Sequence, residues 1–160
     1  MRPMNEQVSV TREIGAPADK VCALVSDVTR MGEWSPENLG GVWLGGATSA
    51  TPGAKFRGTN RIGKRKWKTV ATVIDADAGR RFSFRVSTAG LKVAEWSYAF
   101  EPTEHGCRVT ESWTDQRAGW FKPIAHLATG VGDRATHNRA GMEHTLERLA
   151  AAAESPPAQG

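Results

Sequence analysis

Residues 133–154, DRATHNRAGMEHTLERLAAAAE, read as one amphipathic helix close to the end of the chain. Met142, Leu146, Leu149 and Ala153 recur at steps of three and four residues, and Val131 and Ala135 extend the same stripe backwards. Side chains at that spacing share one side of a helical cylinder. Most of the chain before Trp120 carries the alternation of strands instead. A sheet must bury one face, and a long apolar-striped helix is what this chain offers it. The expected fold is therefore α+β: a curved antiparallel sheet of about seven strands wrapped around the C-terminal helix, with a cavity between them.

The elements before the helix follow in order. Val8, Val10 and Ile14 alternate with Ser9, Thr11 and Glu13 in a first strand, after a loose lead-in at 1–7. Pro17 suits the first turn of a short helix over Ala18–Val25. Ser26 and Asp27 are capping residues for a second short helix that ends near Met31 and Gly32. Pro36 then enforces a loop. Further strands are expected over Val42–Leu44, Phe56–Ile62, Trp67–Ile74, Phe82–Val86, Leu91–Phe100 and Cys107–Asp115, with turns such as Gly63-Lys64 and Ala89-Gly90 between them. Short turns between successive strands predict a meander. Residues 155–160 read as a disordered tail, which leaves 1–154 as a single domain. Between Ala118 and Gly132, Trp120, Phe121, Ile124 and Leu127 have helical spacing that glycines and Pro123 interrupt. A gate over the mouth of the cavity and a connector packed on the core are both open readings of that segment.

Alternation assigns side chains to the two faces of each strand. Phe82 and Phe84 face inward against outward Arg81 and Arg85; Phe56 and Asn60 face inward against Lys55, Arg57 and Arg61. Trp96 and Tyr98 share an inner face, as do Glu111 and Trp113. Trp67 and Thr69 join them, although Val70 and Ile74 leave that strand ambiguous. From the helix, Met142 and Leu146 are ligand-facing candidates and Asn138 lies at the margin. The resulting wall is aromatic with isolated polar groups, the usual form of a small-molecule site. Glu111 stands out: a carboxyl among aromatics is desolvated and becomes a candidate acid–base group. A Glu paired with an arginine or a backbone donor is the alternative. His137 and His144 fall away from the stripe and are expected in solvent; His105 sits in a turn, and His126 lies in the ambiguous segment.

Net charge is +4 over 160 residues. The basic run Arg57, Arg61, Lys64, Arg65, Lys66 and Lys68 is expected to be a solvated hairpin rather than a nucleic-acid site, because the aromatics that would stack bases point inward. No cluster has metal spacing, no glycine run has nucleotide-loop spacing, and no cofactor is expected. No stretch approaches the length of a membrane span. Cys22 and Cys107 stand alone, which suits a reducing, cytoplasmic location.

The order strand, two short helices, six strands and long helix, together with EWSP at 33–36, RVTESW at 108–113, HNRAGM at 137–142 and TLERL at 145–149, resembles the START-like superfamily. This is the helix-grip fold, also called SRPBCC, and the chain is similar to its polyketide cyclase/dehydrase-type branch. The resemblance implies binding of a small, largely hydrophobic molecule such as a lipid, polyketide or quinone-like compound. The alternative it admits is a cyclase or dehydratase that uses Glu111 for proton transfer. A protein-interaction module working through the basic outer face is a further alternative. Oligomeric state has no signature in the sequence.

Overall fold

The computed structural model describes residues 6–155. Its elements are β1 (Gln7–Ile14), α1 (Ala18–Ser26), a 3₁₀ turn (Val28–Glu33), β2 (Asn38–Trp43), β3 (Lys55–Ile62), β4 (Arg65–Asp77), β5 (Arg81–Thr88), β6 (Leu91–Thr103), β7 (Gly106–Asp115), α2 (Lys122–Thr129) and α3 (Arg134–Glu154). The seven strands form one sheet in the order β1-β7-β6-β5-β4-β3-β2, antiparallel throughout. The meander therefore runs from β2 to β7, and β1 closes against β7 rather than against its neighbour in sequence. The fold is the expected helix-grip architecture. The tail expected at 155–160 lies, beyond Ser155, outside the described residues.

Several boundaries differ from the sequence reading. β1 already begins at Gln7, which pairs with Thr114, so the lead-in is shorter than expected. The second short helix is a 3₁₀ turn that Asp27 caps through Thr29. β2 starts at Asn38 and ends before Leu44. Its glycines are part of the strand because the 3₁₀ turn lies close on top: a Cβ on Gly41 would stand 3.0 Å from the Val28 carbonyl oxygen. Val131 falls outside the helix. The Asp133 carboxylate accepts from the Thr136 amide at 3.2 Å and so sets the first turn of α3 beyond it.

α3 packs chiefly against β1, β7 and α1. Leu146, Leu149, Ala150 and Ala153 join Val21, Val25, Phe82 and Val109 in the main core, whereas Met142 packs with Val8, Ala94 and Trp113. A helix is roughly 10 Å across. Six interstrand spacings of about 4.8 Å make the sheet roughly 29 Å wide. One helix seated on the β1–β7 edge cannot cover the inner face of β3 to β6, and the uncovered part becomes a cavity.

Leu149 is fully buried in this contact. Leu149→Ala is expected to lower unfolding free energy by about 2–5 kcal/mol. Val42 is 64% exposed on the edge strand, and Val42→Thr should stay within about 0.5 kcal/mol of the parent. Urea denaturation measures both; similar losses for the two would contradict the placement of α3.

Candidate ligand-binding site

The cavity has a volume of about 260 Å³. β3 contributes Phe56, Gly58 and Asn60; β4 contributes Trp67, Thr69 and Ala71; β5 contributes Phe84 and Val86. Trp96 and Tyr98 come from β6, Glu111 and Trp113 from β7, and Asn138 and Met142 from α3. Pairing brings them together across the sheet: Asn60 faces Trp67, Trp96 faces Trp113, and Tyr98 faces Glu111. Edge-on contacts knit the wall, with ring centroids 5.6 Å apart for Trp43–Phe56 and 5.3 Å for Phe56–Phe84.

Two expected lining residues are not in the wall. Phe82 is fully buried beneath it, 5.5 Å from the Phe84 ring and 6.3 Å from the Tyr98 ring. Leu146 packs into the main core one turn beyond Met142. Both face inward as expected, but the cavity does not extend to that end of the sheet, where α1 fills the space with Val21 and ends the cavity at Val25.

Glu111 is the polar centre. It is 2% exposed, and Tyr98 Oη donates to its Oε2 at 2.8 Å. Its Oε1 has no hydrogen-bond partner among the described residues. Burial pushes the carboxyl up to about 8, against the opposing effect of the Tyr98 bond. Burial likewise raises the Tyr98 hydroxyl well above its ordinary value, and the neighbouring carboxyl adds to the rise. At pH 7 Glu111 is thus mostly a neutral acid. Glu111 is part of the cavity wall, and its orphaned oxygen is buried there. Trp34 Nε1 is a second unpartnered buried polar atom on the lining, this time a donor. The remaining inner polar pair is self-satisfied: Asn60 Nδ2 donates to Thr69 Oγ1 at 3.2 Å.

A second polar cluster joins α3 to the loop before β2. Arg134 Nη1 donates to Glu37 Oε1 at 2.9 Å, and His137 Nε2 lies 3.1 Å from the same oxygen. Burial raises the Glu37 carboxyl, but the bonds from His137 and Arg134 outweigh it and hold the group below its ordinary value. The Arg134 guanidinium also lies 5.7 Å from the Trp67 ring and 3.4 Å from Asn138 Oδ1. His137 is therefore half-buried at the cavity lining rather than solvated. Its angle from the apolar stripe is as expected; the curved sheet and the Glu37 loop reach round to meet it. His144 lies away from the cavity and accepts from Arg148 Nε at 2.8 Å. His126 and His105 are exposed.

The ambiguous segment forms a helix along the cavity. α2 ends at Gly130, whose left-handed backbone, φ 79°, caps it. Phe121, Ala125, Ala128 and Thr129 line the site. Arg117, which also lines it, is fixed by a buried ion pair to Asp115 at 2.8 Å. Cys22 and Cys107 are buried and unpaired. Among the described residues no group of three or more His, Cys, Asp or Glu side chains could hold a metal ion.

Comparison with known proteins agrees with this geometry. A family model described as polyketide cyclase / dehydrase and lipid transport matches residues 5–154. The chain belongs to this family. The Polyketide_cyc-like protein Cgl2372 from Corynebacterium glutamicum is 32% identical, with 95% of this chain and 91% of that one covered and a TM-score of 0.57. Ginseng major latex-like protein 151 from Panax ginseng shares the fold at 12% identity, with 96% and 100% covered and a TM-score of 0.73. The di-domain ARO/CYC StfQ of the steffimycin biosynthetic pathway shares it at 15% identity and a TM-score of 0.73; 94% of this chain is covered, but only 51% of StfQ. No curated protein matches the chain in sequence. The family and the fold agree with the helix-grip resemblance, and the family description is consistent with hydrophobic ligand binding.

The raised Glu111 group has a consequence for stability. The folded chain holds a proton that the unfolded chain releases from about 4.5 upward, so stability is full below that value and falls as pH rises toward about 8. The slope approaches about 1.4 kcal/mol per pH unit at most. Glu111→Gln is expected to flatten this fall between pH 5 and 8, read by urea denaturation across pH. An unchanged slope would contradict the burial of an ionisable Glu111.

Proposed function

We propose that the chain binds a small, largely hydrophobic molecule, of lipid, polyketide or quinone-like character, in the cavity between the sheet and α3. The observation that carries this reading is the aromatic wall of about 260 Å³ with one unpaired carboxyl oxygen on it. A largely apolar enclosure favours an apolar body, and its few unpaired polar atoms, on Glu111 and Trp34, favour a ligand with matching polar groups. Residues 1–154 act in this reading as a single ligand-binding domain. The two buried, unpaired cysteines support residence in the cytoplasm, and among the described residues no helix is long and apolar enough to cross a membrane.

A second reading is favoured by the Glu111 value of about 8. A carboxyl balanced near neutrality serves acid–base chemistry of the cyclase or dehydratase type. As a neutral acid, Glu111 would give its proton to a ligand carbonyl oxygen. Ionised, it would take a proton from the carbon next to a ketone. Tyr98 holds the other carboxyl oxygen in both states.

Native mass spectrometry of the protein purified from cell extract is expected to show a noncovalent apolar compound. Isolation without any such compound, and no tryptophan fluorescence change across a panel of lipids, quinones and aromatic polyketides, would contradict binding. With a bound compound identified, Glu111→Leu should weaken its affinity about tenfold if the role is a hydrogen bond, while Glu111→Gln, which keeps a donor and an acceptor, should retain it. If the role is proton transfer, Glu111→Gln should abolish turnover; conversion unaffected by it would exclude Glu111 as the acid–base group.

A further inference from the structure

The cavity accounts for one side of α2 and leaves the other side bare. Trp120, Ile124 and Leu127 are 63%, 53% and 77% exposed, among the most exposed large apolar side chains of the molecule. Ile124 and Leu127 lie one turn apart on the flank of α2 next to cavity-lining Ala125 and Ala128, and Trp120 precedes the helix with its ring 5.9 Å from that of Phe121. A contiguous apolar strip of this kind in contact with water marks a surface that something else covers.

The chemistry beside the strip indicates what covers it. The β3–β4 hairpin, residues 61–68, carries Arg61, Lys64, Arg65, Lys66 and Lys68 and no acidic residue. All five are exposed: Arg65 shares the α2-side face of β4 with Trp67, Lys64 sits at the turn, and Arg61, Lys66 and Lys68 lie on the other face of the hairpin. Arg65 Nη1 donates to the Leu127 carbonyl, which fastens this basic turn to the end of α2. At the other end, Lys122 is exposed as well, with its ammonium 3.8 Å from the buried Asp115 carboxylate. We propose that this face docks on the surface of an anionic lipid bilayer. Trp120, Ile124 and Leu127 enter the interfacial layer, and the hairpin cations meet the negatively charged headgroups. Tryptophan with aliphatic neighbours on one side of a helix, flanked by lysine and arginine, is the composition that lies at such an interface. A run of cations without interspersed acids fits a surface of uniform negative charge better than a protein surface of mixed sign. Docking brings the α2 edge of the cavity against the lipid. The contact itself uses no cavity residue and does not depend on what the cavity holds.

The test is cosedimentation of the full chain with phosphatidylcholine–phosphatidylglycerol vesicles and with pure phosphatidylcholine vesicles, using the parent and the Ile124→Gln/Leu127→Gln double variant. Neither substituted side chain lines the cavity. The parent is expected to bind the anionic vesicles, with partitioning about tenfold weaker onto the neutral ones and about tenfold weaker for the double variant. Circular dichroism of the variant should match the parent. No sedimentation with anionic vesicles, or sedimentation that the double substitution leaves unchanged, would overturn the proposal. So would a parent dimer that the substitutions dissociate and that ignores vesicles, since a second copy would then be the covering partner.

Discussion

A single helix has to cover a sheet much wider than itself. α3 meets this constraint by seating on β1, β7 and α1, where Leu146, Leu149 and Ala153 complete the core. The strands it cannot reach still point aromatic side chains to the same side. Their rings pack edge to face with one another and leave a space that α2 and the Glu37 loop close. The cavity is thus the part of the inner face that the core helix leaves uncovered. It needs no special cavity-forming sequence, only a sheet too broad for its helix.

The same constraint makes the chemistry. Glu111 lies on β7 close to where α3 ends its cover, so its carboxyl is taken out of water without gaining an arginine or a backbone donor. Tyr98, its cross-strand partner, supplies one hydrogen bond to Oε2 and none to Oε1. A buried acceptor left unpaired costs about 1–3 kcal/mol, a deficit that a ligand hydroxyl or a retained proton can reduce. By contrast Asp115, four residues later on the same face, is held below its ordinary value: burial opposes this, but Arg117 bonds it through side chain and backbone and outweighs the burial. Two carboxyls on one strand thus take opposite charge states because only one has a cation within reach.

Alternation along the strands made most of the wall legible, because a strand offers only two faces. What alternation cannot give is depth. Phe82 and Phe84 share a face, yet only Phe84 meets the cavity, since α1 fills the space at the Phe82 end. The helix stripe failed in the same way for Leu146. The cluster of Glu37, Arg134 and His137 was invisible for another reason: its members lie about a hundred residues apart, as in the Glu37–His137 contact. The spacing of Arg134, His137 and Asn138, three polar residues on one side of the first turns of α3, was the available signal. The apolar stripe marks only the direction that faces the core, and these three residues face the Glu37 loop and the cavity instead. Residues 118–132 stayed ambiguous because their apolar side chains divide between two environments, the cavity for Phe121 and solvent for Trp120, Ile124 and Leu127. No single apolar face could be read from them.

An apolar wall keeps the Glu111 carboxyl neutral at pH 7. Carboxyl-carbon NMR of the protein labelled at glutamate, titrated across pH with Glu111→Gln to assign the signal, reads that state directly. A Glu111 midpoint near 8 is expected. A midpoint near the ordinary 4.5 would contradict it, and would mean that water or a cation reaches the group in solution.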